Sequence, residues 1–170
     1  MVTPIVMLFG VLTLVATQAP AAVPRYYVMR HLERTAQGDS LNQAGRANAC
    51  RLARWFAKRP LAAIRTSRFA RAVQTAKLVA VARGITPATS GTVVGLVASA
   101  RAAGKPVLVV GNSLSVERLI QGLGGKPPPD PPFNFGRIWT IWSNGRTTLE
   151  RLPQNGTGCT PTEGSSSGRP

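Results

Sequence analysis

The sequence predicts a three-layer α/β/α sandwich around a mostly parallel sheet. Two observations indicate this fold class. Segments with strand-like and helix-like patterns alternate along the chain, and the clearest strand, Pro106–Val110, is apolar throughout, as a strand covered on both faces should be. The chain has 170 residues, of which 44% are hydrophobic, so it is long enough for one domain with a buried core.

The predicted elements begin with a strand at Arg25–Met29. A helix follows, with Asn42 as its N-cap. The apolar side of this helix is predicted to consist of Ala44, Ala47, Cys50, Leu52, Ala53 and Phe56. The next elements are a strand at Leu61–Thr66, helices at Arg68–Arg83 and Val93–Ala103, the strand Pro106–Val110, and a helix capped by Ser115 that ends at Leu123. Arg137–Trp142 and Thr147–Leu152 flank Asn144-Gly145, which is a hairpin signal.

The two ends of the chain differ in composition from the middle. The first 24 residues carry no charge, and the apolar stretch Ile5–Ala16 is followed by small residues, which is typical of a secretory signal. The stretch is too short for a membrane span, which needs about 20 residues. No Lys or Arg precedes it, so an atypical signal, a start further upstream and an uncleaved anchor all remain open. We predict a signal peptide at 1–22, a domain at 23–152, a disordered tail at 153–170, and export to the periplasm or the medium.

The net charge of +15 is concentrated in the predicted domain. No Asp or Glu occurs between Asp39 and Glu117, whereas Lys and Arg recur throughout that segment. Such a charge attracts phosphate esters, nucleic acids and acidic membranes, although it is also compatible with an ordinary basic surface. No nucleic-acid-binding motif is present, so the expected partner is a small phosphorylated substrate or another anion.

The cysteines and the single histidine limit the other chemistries. Cys50 and Cys159 fit one disulfide in an exported protein. Two distant thiols and one histidine do not form a zinc-binding pattern, so neither a metal nor a cofactor is expected. The sequence leaves the oligomeric state open.

Arg30-His31 directly follows the apolar run Tyr26–Met29 and is the strongest indication of chemistry. A guanidinium can hold phosphate oxygens in a fork while a neutral imidazole attacks phosphorus. The carboxyl ends of parallel strands meet at one rim of a sheet. We therefore expect Arg30-His31, Ser67–Arg71 and Gly111–Ser113 to line a common pocket.

These segments resemble the histidine phosphatase superfamily, the phosphoglycerate mutase-like proteins. Arg30-His31-Leu32-Glu33 is similar to the RHGE motif, with leucine where glycine is usual, and residues 41–47 are similar to the helix start that follows it. Residues 66–76 closely match S-P-x-x-R-A-x-Q-T-A, and residues 109–113 lie where the family has V-V-G-H-S. The resemblance implies a phosphoglycerate mutase-like fold from about Arg25 to Leu152.

The resemblance implies that His31 is the phosphorylated nucleophile and that Arg30 and Arg71 clamp the phosphate. Two fixed positive charges would also keep His31 neutral and stabilise the phosphoryl group in transfer. Ser67 is a further candidate donor to the phosphate. Glu33 either orients the pocket or pairs with Arg34.

Two departures from the family pattern weaken the catalytic prediction. Asn112 replaces the second histidine and supplies hydrogen bonds but neither charge nor a proton. No acidic residue lies between Ser40 and Val116 to protonate a leaving group, and Glu117 is a substitute only if it turns into the pocket. The first interpretation is a weakened phosphatase for small compounds whose leaving groups depart as weak bases. The alternatives are a catalytically inactive phosphate-binding module and a basic surface-binding protein with a vestigial pocket.

Overall fold

The computed structural model describes residues 23–104, 106–127 and 134–153, and all structural statements concern these residues. The strands are β1 (Pro24–Arg30), β2 (Ala63–Ser67), β3 (Ala88–Ser90), β4 (Val107–Gly111), β5 (Arg137–Trp142) and β6 (Thr147–Arg151). The helices are α1 (Gln43–Phe56), α2 (Ala70–Arg83), α3 (Val93–Ala102) and α4 (Val116–Gly122).

The six strands form one sheet in the order β3-β2-β4-β1-β5-β6. β3, β2, β4 and β1 are parallel, β5 is antiparallel to β1, and β6 is antiparallel to β5. The sheet is therefore mostly parallel, as predicted. β1 lies inside it, between β4 and β5, so its carboxyl end is flanked on both sides.

Helices cover both faces of the sheet. Tyr27, Met29, Leu108 and Ile138 face α1 and α2 in one hydrophobic cluster. The residues that alternate with these along each strand point to the other face and pack with α3 and α4 in a second cluster. Its sheet members include Tyr26, Val28, Val107, Val109, Trp139 and Ile141. This alternation along each strand confirms the three-layer sandwich.

The prediction for the buried side of the first helix is confirmed at Leu52 and Phe56 but wrong at other positions. Its buried residues are Gly45, Asn48, Ala49, Leu52, Trp55 and Phe56, whereas Ala44 is exposed and Ala47, Cys50 and Ala53 are only partly buried. The reason is a close backbone approach, because a Cβ on Gly45 would lie 2.0 Å from the carbonyl oxygen of Glu33. Alanine occurs on both sides of the helix and carries too little hydrophobicity to mark the buried one.

Other elements differ from the prediction in detail. β3 was not predicted, because its three residues are short of the length and apolar pattern that mark a strand. Ser115 precedes α4, but its hydroxyl forms no cap bond to the helix. The α1 prediction of Asn42 as N-cap is confirmed, since its side chain accepts a hydrogen bond from Gly45 N at 2.9 Å.

The predicted signal peptide, nearly all of the predicted tail, and Cys159 lie outside the described residues, so the Cys50–Cys159 disulfide stays a prediction. In the part of the chain that the structure describes, no helix is both long enough and apolar enough to cross a membrane.

Candidate active site

His31 lies immediately beyond the carboxyl end of β1. Its backbone N–H donates to the carbonyl oxygen of Gly111 at 2.8 Å, which ties it to the end of β4. The side chain is only 3% exposed. The nucleophile predicted from the sequence is thus fixed at the rim of the sheet and shielded from water.

The hydrogen bonding of His31 selects one tautomer. Nδ1 lies 2.7 Å from the carbonyl oxygen of Leu32, and since a carbonyl oxygen only accepts, Nδ1 carries the proton. Nε2 then presents its lone pair. Burial is the main reason that the pKa of His31 is lowered to about 4; the charges of Arg71, Arg30 and Arg34 act in the same direction, and the bond to Leu32 opposes the shift. The imidazole is therefore neutral at pH 7 and suited to nucleophilic attack.

Arg30 is packed against an aromatic ring beside the nucleophile. Its Cζ lies 4.1 Å from the centroid of the Phe135 ring, and the same ring lies 5.8 Å from the His31 ring. Burial, and then the charges of Arg34 and Arg71, lower the pKa of Arg30. The guanidinium nevertheless keeps its charge. The aromatic contact fixes the plane of this guanidinium before any ligand binds.

Arg71 lies in the first turn of α2 and is held from two sides. Its Cζ lies 4.4 Å from the centroid of the Phe69 ring, and Nη1 donates to the carboxylate of Asp39. The other oxygen of Asp39 accepts from Ala70 N at 2.7 Å. Arg71 Nε is buried and has no hydrogen-bond partner in the described part of the chain. Asp39 therefore positions Arg71 while Nε of its guanidinium keeps an unused hydrogen-bond donor.

Thr75 connects the nucleophile segment to the helix that carries Arg71. Its hydroxyl accepts from Leu32 N at 2.9 Å and donates to the carbonyl oxygen of Arg71 at 2.8 Å. The preceding residue, Gln74, accepts through Oε1 from Leu41 N at 2.7 Å. These bonds fix the distance between His31 and Arg71 through the backbone.

Asn112 follows β4 at the same rim. Its Oδ1 accepts from Leu114 N at 3.0 Å, which orients the amide and leaves the Nδ2 hydrogens as its donors. Its backbone N–H donates to Ser115 Oγ at 2.8 Å, and Ser115 Oγ donates to the Asn112 carbonyl oxygen at 3.0 Å. Ser115 thus shapes this turn rather than capping α4.

Ser67 ends β2, two strands from β1 in the sheet. Its hydroxyl is buried and has no hydrogen-bond partner among the residues described. A buried hydroxyl without a partner is costly to the fold unless a ligand or water satisfies it. This is compatible with the predicted role of Ser67 as a phosphate donor.

The two candidate acids point elsewhere. Both oxygens of Glu33 accept from Asn48 Nδ2 at 2.9 Å, so this carboxylate anchors α1. Arg34 does not pair with Glu33 but donates to carbonyl oxygens of Thr35, Ala36 and Gly38. Glu117 is exposed in the first turn of α4. Neither carboxylate is seen in position to protonate a leaving group at His31.

Sequence reasoning missed Asp39, Thr75 and Phe135. Asp39 and Phe135 act across long sequence separations, which no local pattern reveals. Thr75 lies within residues 66–76, the segment similar to a family motif, and follows Arg71 by four residues. Because residues four apart in a helix lie on the same side, the spacing alone could have predicted that Thr75 lies next to Arg71. Among the described residues, no group of three or more His, Cys, Asp or Glu side chains could hold a metal ion.

Comparison with known proteins agrees with this geometry. Residues 27–92 match the model of the histidine phosphatase superfamily (branch 1). The protein histidine phosphatase SixA, in a structure with tungstate, is 23% identical with a TM-score of 0.55 over 74% of this chain and 93% of SixA. A protein of Escherichia coli K-12, provisionally described as an alpha-ribazole-5′-P phosphatase, is 16% identical with a TM-score of 0.57 over 80% of this chain and 98% of its own.

A mycobacterial glucosyl-3-phosphoglycerate phosphatase is 16% identical with a TM-score of 0.51, over 76% of this chain and 98% of its own. At these identities the solved structures show the fold alone. A comparison with curated proteins found no match. The matched segment contains His31 and Arg71, and the remaining elements complete the shared fold. Residues 27–92 thus resemble the histidine phosphatase superfamily, and the described residues have the phosphoglycerate mutase-like fold.

Proposed function

We propose that this protein is a phosphatase that transfers a phosphoryl group from a small phosphorylated compound to Nε2 of His31. The Nε2–P bond forms as the bond from phosphorus to the leaving group breaks, and water then cleaves the phosphohistidine to release phosphate. The observation that carries the proposal is the buried, neutral His31 with its proton fixed on Nδ1. Arg30 and Arg71 would hold the oxygens of the transferred group.

The preferred substrates are those whose leaving group departs without taking up a proton. Glu33 is bonded to Asn48, both oxygens of Asp39 accept hydrogen bonds, and Glu117 is exposed. Phenolates, acyl phosphates and N-linked phosphates need less acid assistance than alkyl phosphates do. SixA, a protein histidine phosphatase, shares the fold, which supports an N-linked phosphate as one member of this class.

Hydrolysis of para-nitrophenyl phosphate tests the proposal. We expect the chain to release nitrophenolate and the His31→Ala variant to release none above background. Arg71→Gln should lower kcat/KM by about 10²-fold or more, since one charge-assisted donor is lost. Lys77→Gln is the matched control, because it removes the same charge from an exposed position on the same helix.

A catalytically inactive anion-binding module is the second candidate, and Asn112 favours it because an amide supplies no charge. Equal background rates from the parent chain and His31→Ala, together with phosphate binding that Arg71→Gln abolishes, would establish that function instead.

Export is part of the proposal too, supported by the uncharged apolar segment at residues 5–16.

A further inference from the structure

Arg137, the first residue of β5, is a buried arginine that has no counterion among the residues that the structure describes. The residue is 6% exposed, and both Nε and Nη1 are buried without a hydrogen-bond partner. It forms no ion pair with any carboxylate in the described part of the chain. An unpaired buried charge destabilises a fold strongly, so such a group is expected where an anion binds.

The sheet register places Arg137 in a row of arginines. Met29 pairs with Ile138, so the next position of β1, Arg30, lies opposite Arg137. On its other side, Arg137 pairs with Arg151 of β6. Residues directly opposite one another in antiparallel strands point to the same face, with Cβ atoms about 5 Å apart. A row of like positive charges produces a field that attracts an anion.

This arginine row, Arg30, Arg137 and Arg151, begins at the proposed phosphoryl site. Arg30 is one of the two phosphate clamps, and Phe135, two residues before Arg137, contacts both Arg30 and His31. Arg137 shares a sheet face with Trp139, which packs with α3 and α4. This is the face on which Asn112 leads into α4, whereas Arg71 belongs to α2, on the other face. The arginine row therefore extends the anion site on the side opposite to Arg71.

We propose that Arg137 binds a second phosphate of the substrate, next to the phosphoryl group held by Arg30. The substrate class is then a compound with two neighbouring phosphates, a diphosphate or a bisphosphate. This inference rests on the proposed function for the identity of the first phosphate site. Orthophosphate would occupy that site alone, whereas pyrophosphate would span both arginines.

Calorimetric titration tests this with orthophosphate and pyrophosphate as probes. The full chain carrying His31→Ala is used, so that turnover does not consume the ligand. We expect pyrophosphate to bind at least about tenfold more tightly than orthophosphate, the gain from one further charge-assisted contact. Adding Arg137→Met should remove this preference while orthophosphate binding persists, and Arg137→Lys should keep part of it.

Arg146→Met is the matched control, since it removes the same charge from an exposed position at the other end of the same hairpin. It should keep the preference, which separates a local site from the net charge of the protein. Equal affinity for the two anions in the parent, or a preference that Arg137→Met leaves intact, overturns the proposal.

Thermal unfolding without ligand separates a binding role from a structural one. Arg137→Met should melt at or above the temperature of the parent chain, because it removes an unpaired buried charge without removing volume. A clearly lower melting temperature would assign Arg137 to the fold and overturn the proposal. Binding does not require turnover, so a pyrophosphate preference without hydrolysis would refute only the phosphatase function, and hydrolysis without the preference would refute only this inference.

Discussion

The imidazole of His31 is kept neutral mainly by burial, and the charges of Arg71 and Arg30 act in the same direction. The bond from Nδ1 to Leu32 then decides which nitrogen is available. A family motif read from the sequence identifies the histidine, but the pKa and the tautomer depend on residues that fold around it. The pH dependence of activity is therefore the most direct test at the scale of single residues.

We expect the acid limb of kcat/KM for para-nitrophenyl phosphate to fall near pH 4 rather than near 6.5, since protonation of free His31 removes the nucleophile. The profile must be corrected for the substrate, because a phosphate monoester has a second pKa of about 6. Arg71→Gln should move the limb to higher pH, as it removes a charge that disfavours the imidazolium. A corrected limb centred at 6.5 in the parent chain would show that His31 is solvated.

Asn112→His should raise kcat by about 10²–10³-fold, because it restores a charge-assisted donor at the position after β4. Asn112→Gln lengthens the side chain without adding charge and should stay at or below the parent rate. Steady-state hydrolysis of para-nitrophenyl phosphate measures both. If Asn112→His gives no gain, residue 112 does not face the transferred group.

At the scale of elements, α2 is the part that assembles the site. Arg71, Gln74 and Thr75 lie within two turns and reach Asp39, Leu41 and Leu32 respectively. The loop between β1 and α1 is thus fixed to one helix by side chains that stand in one sequence motif. A substitution in this helix should therefore change catalysis as well as stability.

Thr75→Val keeps the shape of the side chain but removes the hydroxyl that joins Leu32 N to the Arg71 carbonyl oxygen. We expect the free energy of unfolding to fall by about 1–3 kcal/mol, since a buried N–H loses its partner. We also expect kcat to fall, since His31 and Arg71 lose their link. Thr75→Ser retains the hydroxyl and should recover most of both. Urea unfolding and steady-state kinetics give the two values, and an unchanged kcat in Thr75→Val would contradict the positioning role.

The sequence predicted the elements better than their contacts. The order of strands and helices follows from periodicity, and the motif at residues 66–76 locates Arg71. The buried side of α1 was predicted only in part: Leu52 and Phe56 are buried as expected, but Gly45 and Asn48 are buried by partners on the Glu33 segment, not by hydrophobicity. Arg137 was predicted only as the start of a strand, because its isolation from carboxylates is a property of the folded sheet. In the sequence, Asp39 stands out only as the last acid before a basic segment, for the same reason.

For the whole molecule, burial of a neutral histidine makes stability depend on pH. The folded pKa of His31 is about 4, below the unfolded value of 6.5. Between these values the unfolded chain binds more protons, so the free energy of unfolding should decrease as the pH falls from 6.5 to 4. The contribution of His31 is fully present above pH 6.5 and amounts to up to about 3 kcal/mol.

Urea unfolding at intervals from pH 7 to 4, on the parent chain and on His31→Gln, measures this contribution. The parent should lose more stability over this range than the variant, because glutamine does not titrate. Parallel curves for the two proteins would mean that His31 has the same pKa in both states and that its burial has no electrostatic consequence.

The place of β1 in the sheet has a consequence for the order of folding. β1 is the first strand to be synthesised among those described, yet both of its partners, β4 and β5, come from the second half of the chain. Pairings of such large sequence separation form slowly. On a growing chain, the segment that carries His31 therefore has no sheet neighbour until residue 111 has been made, and it lacks β5 until residue 142 has been made. A truncated or stalled product would contain His31 but not the pocket whose burial lowers the pKa of its imidazole.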